Sequence, residues 1–138
     1  MRRQRALPIT VDEGVITPRD AMELIRLDLI DGIAMKPARV GGLLPQRRMI
    51  ELVLDAGLIF LGSGLTDPDI GFAASVQVYA AFGLARPAAL NGPQFLDAGV
   101  ASLGVRVEDG DALVPTGPGL GVEIDESRLT SLALDLGL

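Results

Sequence analysis

The 138-residue sequence contains no cysteine and no histidine. Without cysteine there is no disulfide to staple the fold and no thiolate nucleophile. Without histidine, the commonest general base and the commonest zinc ligand are both missing. Any catalysis must run on Asp, Glu, Lys, Tyr or hydroxyl groups. Positive charge is sparse after the first five residues: the net charge is −6 and the isoelectric point is near 4.5. A phosphate backbone would find no basic face, so nucleic acid is not an expected partner. Every apolar run is broken by Asp, Arg, Gly or Pro well short of the ~20 residues that span a bilayer. No membrane partner is expected. The start MRRQRALPITVDE has basic residues but neither a sustained apolar segment nor a small-residue cleavage site, so it matches a secretion signal poorly and the expected location is cytoplasmic. The charge run from Met1 to Arg5 reads as a solvated end or the stump of a preceding helix.

What is present is enough for one core: 49% hydrophobic residues in 14.4 kDa, with mean hydropathy +0.39. Short β-prone runs are followed by turn residues and then by helical patterns. LPITVDE (7–13) precedes TPRDAMELIRLD (17–28), with Thr17 as N-cap and Pro18 at the first helical position. DGIAMK (31–36) precedes LLPQRRMIELVLDAG (43–57), where Met49, Ile50, Val53 and Leu54 fall at helical spacing before Gly57. LIFLGSG (58–64) precedes DPDIGFAASVQVYAAFGL (67–84), and PAALNGP (87–93) is a fourth, shorter strand candidate. Strands alternating with helices predict parallel βαβ units, hence an α/β fold. The last third differs. LGVRVEDGDALVPTG (103–117) reads as a hairpin turning at Asp109-Gly110, and DESRLTSLALDLGL (125–138) as a closing helix capped near Asp125.

Polar residues stand immediately after the apolar runs: Asp12 and Glu13, then Lys36, then Ser63, Thr66, Asp67 and Asp69, then Asn91. In a parallel α/β barrel the C-terminal strand ends share one face, which would gather all of them. Lys36 is the only lysine of the chain, placed where an apolar run ends. Unlike arginine, a partly buried lysine can lose its proton.

The segments VDEG, MKPARVGG, GSGLTDPDIGFAAS, LNGPQFL and VPTGPGLGVEIDE, in this order and spacing, resemble the C-terminal half of the barrel domain of the enolase superfamily, in the mandelate racemase and muconate lactonizing enzyme group. The resemblance runs from Leu7 to about Leu129. It implies a partial (β/α)7β barrel, about strands five to eight, followed by the hairpin and short helix, with residues 1–138 as one partial barrel domain. It also implies that Asp12 is the last of three carboxylate ligands to Mg²⁺ and that Lys36 is the general acid or base beside the substrate carbon. Glu13, Ser63, Thr66, Asp67 and Asn91 would lie around the metal or the substrate. The absent histidine base favours the muconate lactonizing branch, and Ala89 and Asn91 stand where dipeptide epimerases have an Asp-x-Asp pair. The implied activity is muconate cycloisomerase-like: proton abstraction next to a carboxylate, through an enolate, on a small carboxylate substrate.

Several parts of such an enzyme have no counterpart here. They are the first barrel half with its paired lysines, the other two metal carboxylates and the N-terminal capping domain. After the third strand, Thr66 and Asp67 stand where many relatives have a glutamate. The isolated chain is therefore expected to be inactive, to hold Mg²⁺ weakly or not at all, and to pair with a missing N-terminal half or with another copy through its open strand edges. The alternatives are a non-catalytic half-barrel interaction module or a truncated remnant. Residue by residue, simpler readings also stand: Asp12-Glu13 as a turn signal, Lys36 as an accident of lysine-poor composition, Asp67 and Asp69 as helix caps. Gly62 and Gly64 are a weak anion-cradle signal, and TGPGLG (116–121) lacks the order of a dinucleotide fingerprint.

Overall fold

The computed structural model describes residues 7–97 and 99–135, so the Met1–Arg5 run and the last three residues of the closing-helix segment lie outside the described residues. Three parallel strands, β1 (Thr10–Val11), β2 (Gly32–Met35) and β3 (Ile59–Gly62), form one sheet in the order β1-β2-β3. The register pairs Thr10 with Gly32, Ile33 with Phe60 and Met35 with Gly62. Three helices follow their strands: α1 (Pro18–Arg26), α2 (Leu43–Asp55) and α3 (Asp69–Ala81). The α/β reading is therefore realised as successive strand-helix units.

Local chemistry explains the boundaries. Thr17 and Asp20 form a reciprocal capping box at α1, the Thr17 hydroxyl accepting from Asp20 N–H at 3.2 Å and the Asp20 carboxylate from Thr17 N–H at 2.8 Å. Those bonds hold the Asp20 carboxyl below its ordinary value. After α2, Gly57 takes the left-handed conformation (φ 67°) that lets the chain leave the helix for β3. β2 opens with a glycine at its close approach to β3, where a Cβ on Gly32 would meet Ile59 O at 2.6 Å.

The core joins both layers: Ile33 and Met35 from the sheet, Met49, Ile50 and Val53 from α2, Val78 and Tyr79 from α3. Leu54, expected on the buried face of α2, is instead largely exposed, and Gln46 takes its place. Residues 46, 49, 50 and 53 follow the i, i+3, i+4, i+7 stripe and centre the buried face, and Leu54, at i+8, lies on its flank.

The first strand is shorter than LPITVDE, two paired residues only, and α3 starts at Asp69 rather than Asp67. PAALNGP is not a strand among the described residues. It adds one parallel bridge, Ser63 with Ala89, because Pro87 and Pro93 remove donors on either side. In the last third, β5 (Val107–Glu108) and β6 (Asp111–Ala112) form the expected hairpin, with Asp109 (φ 52°) and Gly110 (φ 90°) both left-handed at its turn. A second antiparallel pair, β4 (Ala101–Leu103) with β7 (Glu123–Ile124), was not evident in the sequence. α4 (Glu126–Asp135) starts where Asp125 Oδ1 accepts Arg128 N–H at 3.0 Å. No helix among the described residues is long and apolar enough to cross a membrane.

Candidate active site

The C-terminal ends of β1 and β2 bring together the residues that the sequence keeps 24 positions apart. β2 delivers Lys36 at the edge of the core, and the following KPARVGG turns at once: Arg39 N–H and Val40 N–H both reach Lys36 O, at 3.0 and 3.3 Å. Gly41 (φ 90°) and Gly42 (φ 104°) take left-handed conformations that lead the turn into α2. That turn places Arg39 beside Lys36, facing the end of β1.

The Lys36 side chain is 5% exposed, and its ammonium donates to Asp12 Oδ1. Asp12 itself is half exposed, so a buried cation meets a carboxylate that opens to the outside. Glu13 Oε1 lies 4.0 Å from Lys36 Nζ and 3.5 Å from Arg39 Nη2. Two acids after β1 thus interlock with two cations after β2. Removing Asp12 would leave the Lys36 ammonium buried without its nearest counter-charge, which is costly.

Asp67 approaches from the loop after β3 and is 5% exposed. Burial pushes its carboxyl above the ordinary value, opposed by the Leu65 N–H and by the charge of Lys36. It does not cap α3: the N-cap is Pro68, and the Asp69 carboxylate instead accepts Ala101 N–H at 3.0 Å, tying α3 to β4. Ser63 is buried at the end of β3. Thr66 is exposed, and Asn91 meets the site through its main chain, Asn91 O accepting Asp67 N–H at 3.1 Å. Gly64 leaves room for Asp67, since a Cβ there would meet Asp67 Oδ2 at 2.8 Å.

Two neighbours were missed in the sequence. Arg39 carried a usable signal, one turn after Lys36 in KPARVGG. Tyr79 carried none beyond being the only tyrosine, yet its hydroxyl reaches the ends of both β2 and β3. Among the described residues no three Asp, Glu, His or Cys side chains cluster as a metal site. Asp12 offers one hard oxygen donor, already turned to Lys36, so the described residues alone do not fit Mg²⁺.

The family model described as "Enolase C-terminal domain-like" matches residues 1–128. The chain belongs to the enolase superfamily. Its mixed α/β fold matches that superfamily's C-terminal barrel domain, and the solved structures most like it include members of the mandelate racemase and muconate lactonizing enzyme group. Among superfamily members, muconate cycloisomerase 1 of Rhodococcus opacus is 34% identical over 130 residues, covering 91% of this chain and 34% of that protein. The crystal structure of 2-chloromuconate cycloisomerase from Rhodococcus opacus 1CP matches with TM-score 0.87 at 31% identity, over 94% of this chain and 36% of that one. A mandelate racemase/muconate lactonizing enzyme from Roseovarius nubinhibens ISM, complexed with magnesium, matches with TM-score 0.82 at 31% identity, over 93% of this chain and 35% of that one. The chain spans about a third of the length of the curated relatives it matches.

Proposed function

We propose that the chain supplies the acid/base half of a muconate cycloisomerase-like isomerase or lyase that works in the cytoplasm on a small carboxylate substrate. In this reading residues 1–138 are a partial barrel domain corresponding to about strands five to eight. Lys36 moves a proton to or from the carbon next to the substrate carboxylate. Asp12 provides one carboxylate toward Mg²⁺, with the further ligands coming from outside the described residues. Glu13, held by Arg39, and the buried Asp67 set the charge around Lys36, while Ser63, Thr66 and Asn91 border the substrate side. The observation that carries the reading is a buried, solitary lysine ion-paired to the carboxylate at the end of the adjacent parallel strand.

The chain alone is expected to be inactive, because the reading places the rest of the barrel that would enclose the substrate outside these residues. Coexpression with a matching N-terminal half should restore deuterium exchange next to the carboxylate of a muconate-derived lactone in D₂O. Lys36→Ala should lower it by roughly 10²- to 10⁴-fold. No exchange in a folded, reconstituted complex would sink the reading.

A second reading, a non-catalytic half-barrel module that joins another copy, is favoured by the exposed Leu7 and Ile9 just before β1, an edge strand of the sheet. It requires a stable homodimer that is indifferent to millimolar Mg²⁺. A monodisperse monomer in sedimentation would remove it.

A further inference from the structure

The proposed proton transfer leaves the one tyrosine of the chain without a role. Tyr79 sits on the core face of α3, 3% exposed, with its ring edge-on to Phe60 at a centroid distance of 5.6 Å. Its hydroxyl lies 2.5 Å from Met35 O and 2.6 Å from Ser63 O, and accepts Ser63 N–H at 3.3 Å. A phenol has one proton, so it donates to one of these carbonyls at a time. Met35 O also accepts Ser63 N–H at 2.9 Å. Three main-chain groups and one hydroxyl therefore meet where the β2-β3 ladder ends, at the peptide whose nitrogen belongs to Lys36. Burial raises the Tyr79 phenol above its ordinary value, so it stays protonated and able to donate.

The ring reaches this point because β3 ends in glycine. A Cβ at Gly62 would meet Tyr79 Cδ2 at 3.0 Å, Leu84 Cδ2 at 2.7 Å and Ala88 Cβ at 3.1 Å. Packing alone would be served by phenylalanine. The hydroxyl adds a donor where two carbonyl oxygens converge: without it Met35 O keeps only Ser63 N–H, and Ser63 O loses the phenol. A Met35 carbonyl held by one bond rather than two is freer to tilt, and its tilt turns the Met35–Lys36 peptide and with it the direction in which the lysine side chain leaves the strand.

We propose that Tyr79 is a positioning residue whose hydroxyl fixes the Met35–Lys36 peptide and so holds the Lys36 ammonium on Asp12. The consequence for catalysis rests on the reading of Lys36 as the proton-transfer group, but the clamp itself does not. Because Lys36 is the only lysine, its reactivity toward an amine-acylating ester can be read from one peptide by mass spectrometry of the full chain. Tyr79→Phe should label at least threefold faster at Lys36 than the wild type. Phe60→Leu, which removes the ring's neighbour but keeps the hydroxyl, should lower Tm without faster labelling. Both are compared well below their own Tm, with unchanged far-UV circular dichroism. Should Tyr79→Phe not fold, Gly62→Ala displaces the same ring and should give the same faster labelling. Wild-type labelling in the hydroxyl-deleted or ring-displaced chain, or equal acceleration by Phe60→Leu, would overturn the proposal. In the reconstituted enzyme, Tyr79→Phe should lower kcat with little change in KM. If Lys36→Ala left exchange intact while Tyr79→Phe still sped labelling, the clamp would stand and the catalytic reading of Lys36 would fall.

Discussion

The strand-helix units up to α3 and the segment beyond them are held together by different forces. Among the described residues, every buried apolar side chain lies between Val15 and Tyr79, and none lies in the last third. There the strands are two or three residues long, and Leu103, Val107, Val114 and Leu129 are exposed. An open groove of about 760 Å³, lined by Phe72, Val76, Leu84, Val105, Val107 and Val114, separates much of this segment from α3. Polar ties substitute for burial. Gln77 Nε2 donates to Pro115 O at 2.7 Å and to Leu120 O at 3.3 Å, and Asp69 holds Ala101 N–H. The first region should set global stability, whereas the second should open locally at lower cost.

The sharpest way to break this contrast is to cut into each region. Ile50→Ala, at a fully buried position, should lose about 2–5 kcal/mol in urea unfolding, whereas Leu129→Ala should stay within about 0.5 kcal/mol. Equal losses would mean that the last third has a core of its own. Next in size, Gln77→Ala should speed amide exchange over residues 112–121 by about tenfold, close to 1.4 kcal/mol of local opening, and leave the amides of β2 unchanged.

The smallest effects come from pH, and they have opposite signs in the two regions. The Ser127 hydroxyl and then the Arg128 N–H hold the Asp125 carboxyl below its ordinary 3.8. Its contribution to α4 is therefore complete above that pH and is lost as pH falls through the lower folded value. Asp67 is raised by burial, so its contribution is complete below 3.8 and is lost as pH rises through its higher folded value. Acidification from neutral pH should first tighten the surroundings of Asp67 and only later fray α4. Asp67→Asn should raise the urea midpoint at pH 7 and remove the first phase. Asp125→Ala should reduce helical circular dichroism already at pH 7.

The units up to α3 were legible because burial imposes periodicity: the 49, 50, 53 stripe, the Thr17-Pro18 start and the Gly57 stop are each local and physical. The Asp109-Gly110 turn was legible for the same reason, since it needs residues that tolerate positive φ. The β4-β7 pairing was not, because it links short, half-exposed segments with no alternation strong enough to mark them. PAALNGP misled in extent: between prolines that cannot donate, it joins the end of β3 through the single Ser63–Ala89 bridge. At the site, Lys36 beside Asp12 followed from the topology of adjacent parallel strands. Tyr79 was invisible, since its role depends on a ring passing under Gly62, which no spacing in the chain announces.

β1 pairs with β2, and β2 with β3, so each parallel pairing joins neighbours along the chain. Thr10 to Gly32 spans 22 residues (32 − 10) and Gly32 to Ile59 spans 27 (59 − 32). Closure entropy grows only logarithmically with such spans, and folding slows as contacts become more distant in sequence. The sheet can therefore be laid down one unit at a time, in the order of synthesis. Asp12 and Lys36 belong to the first two of the three paired strands in chain order, so the charge pair at the candidate site can assemble before β3 and the segment beyond α3 have joined it.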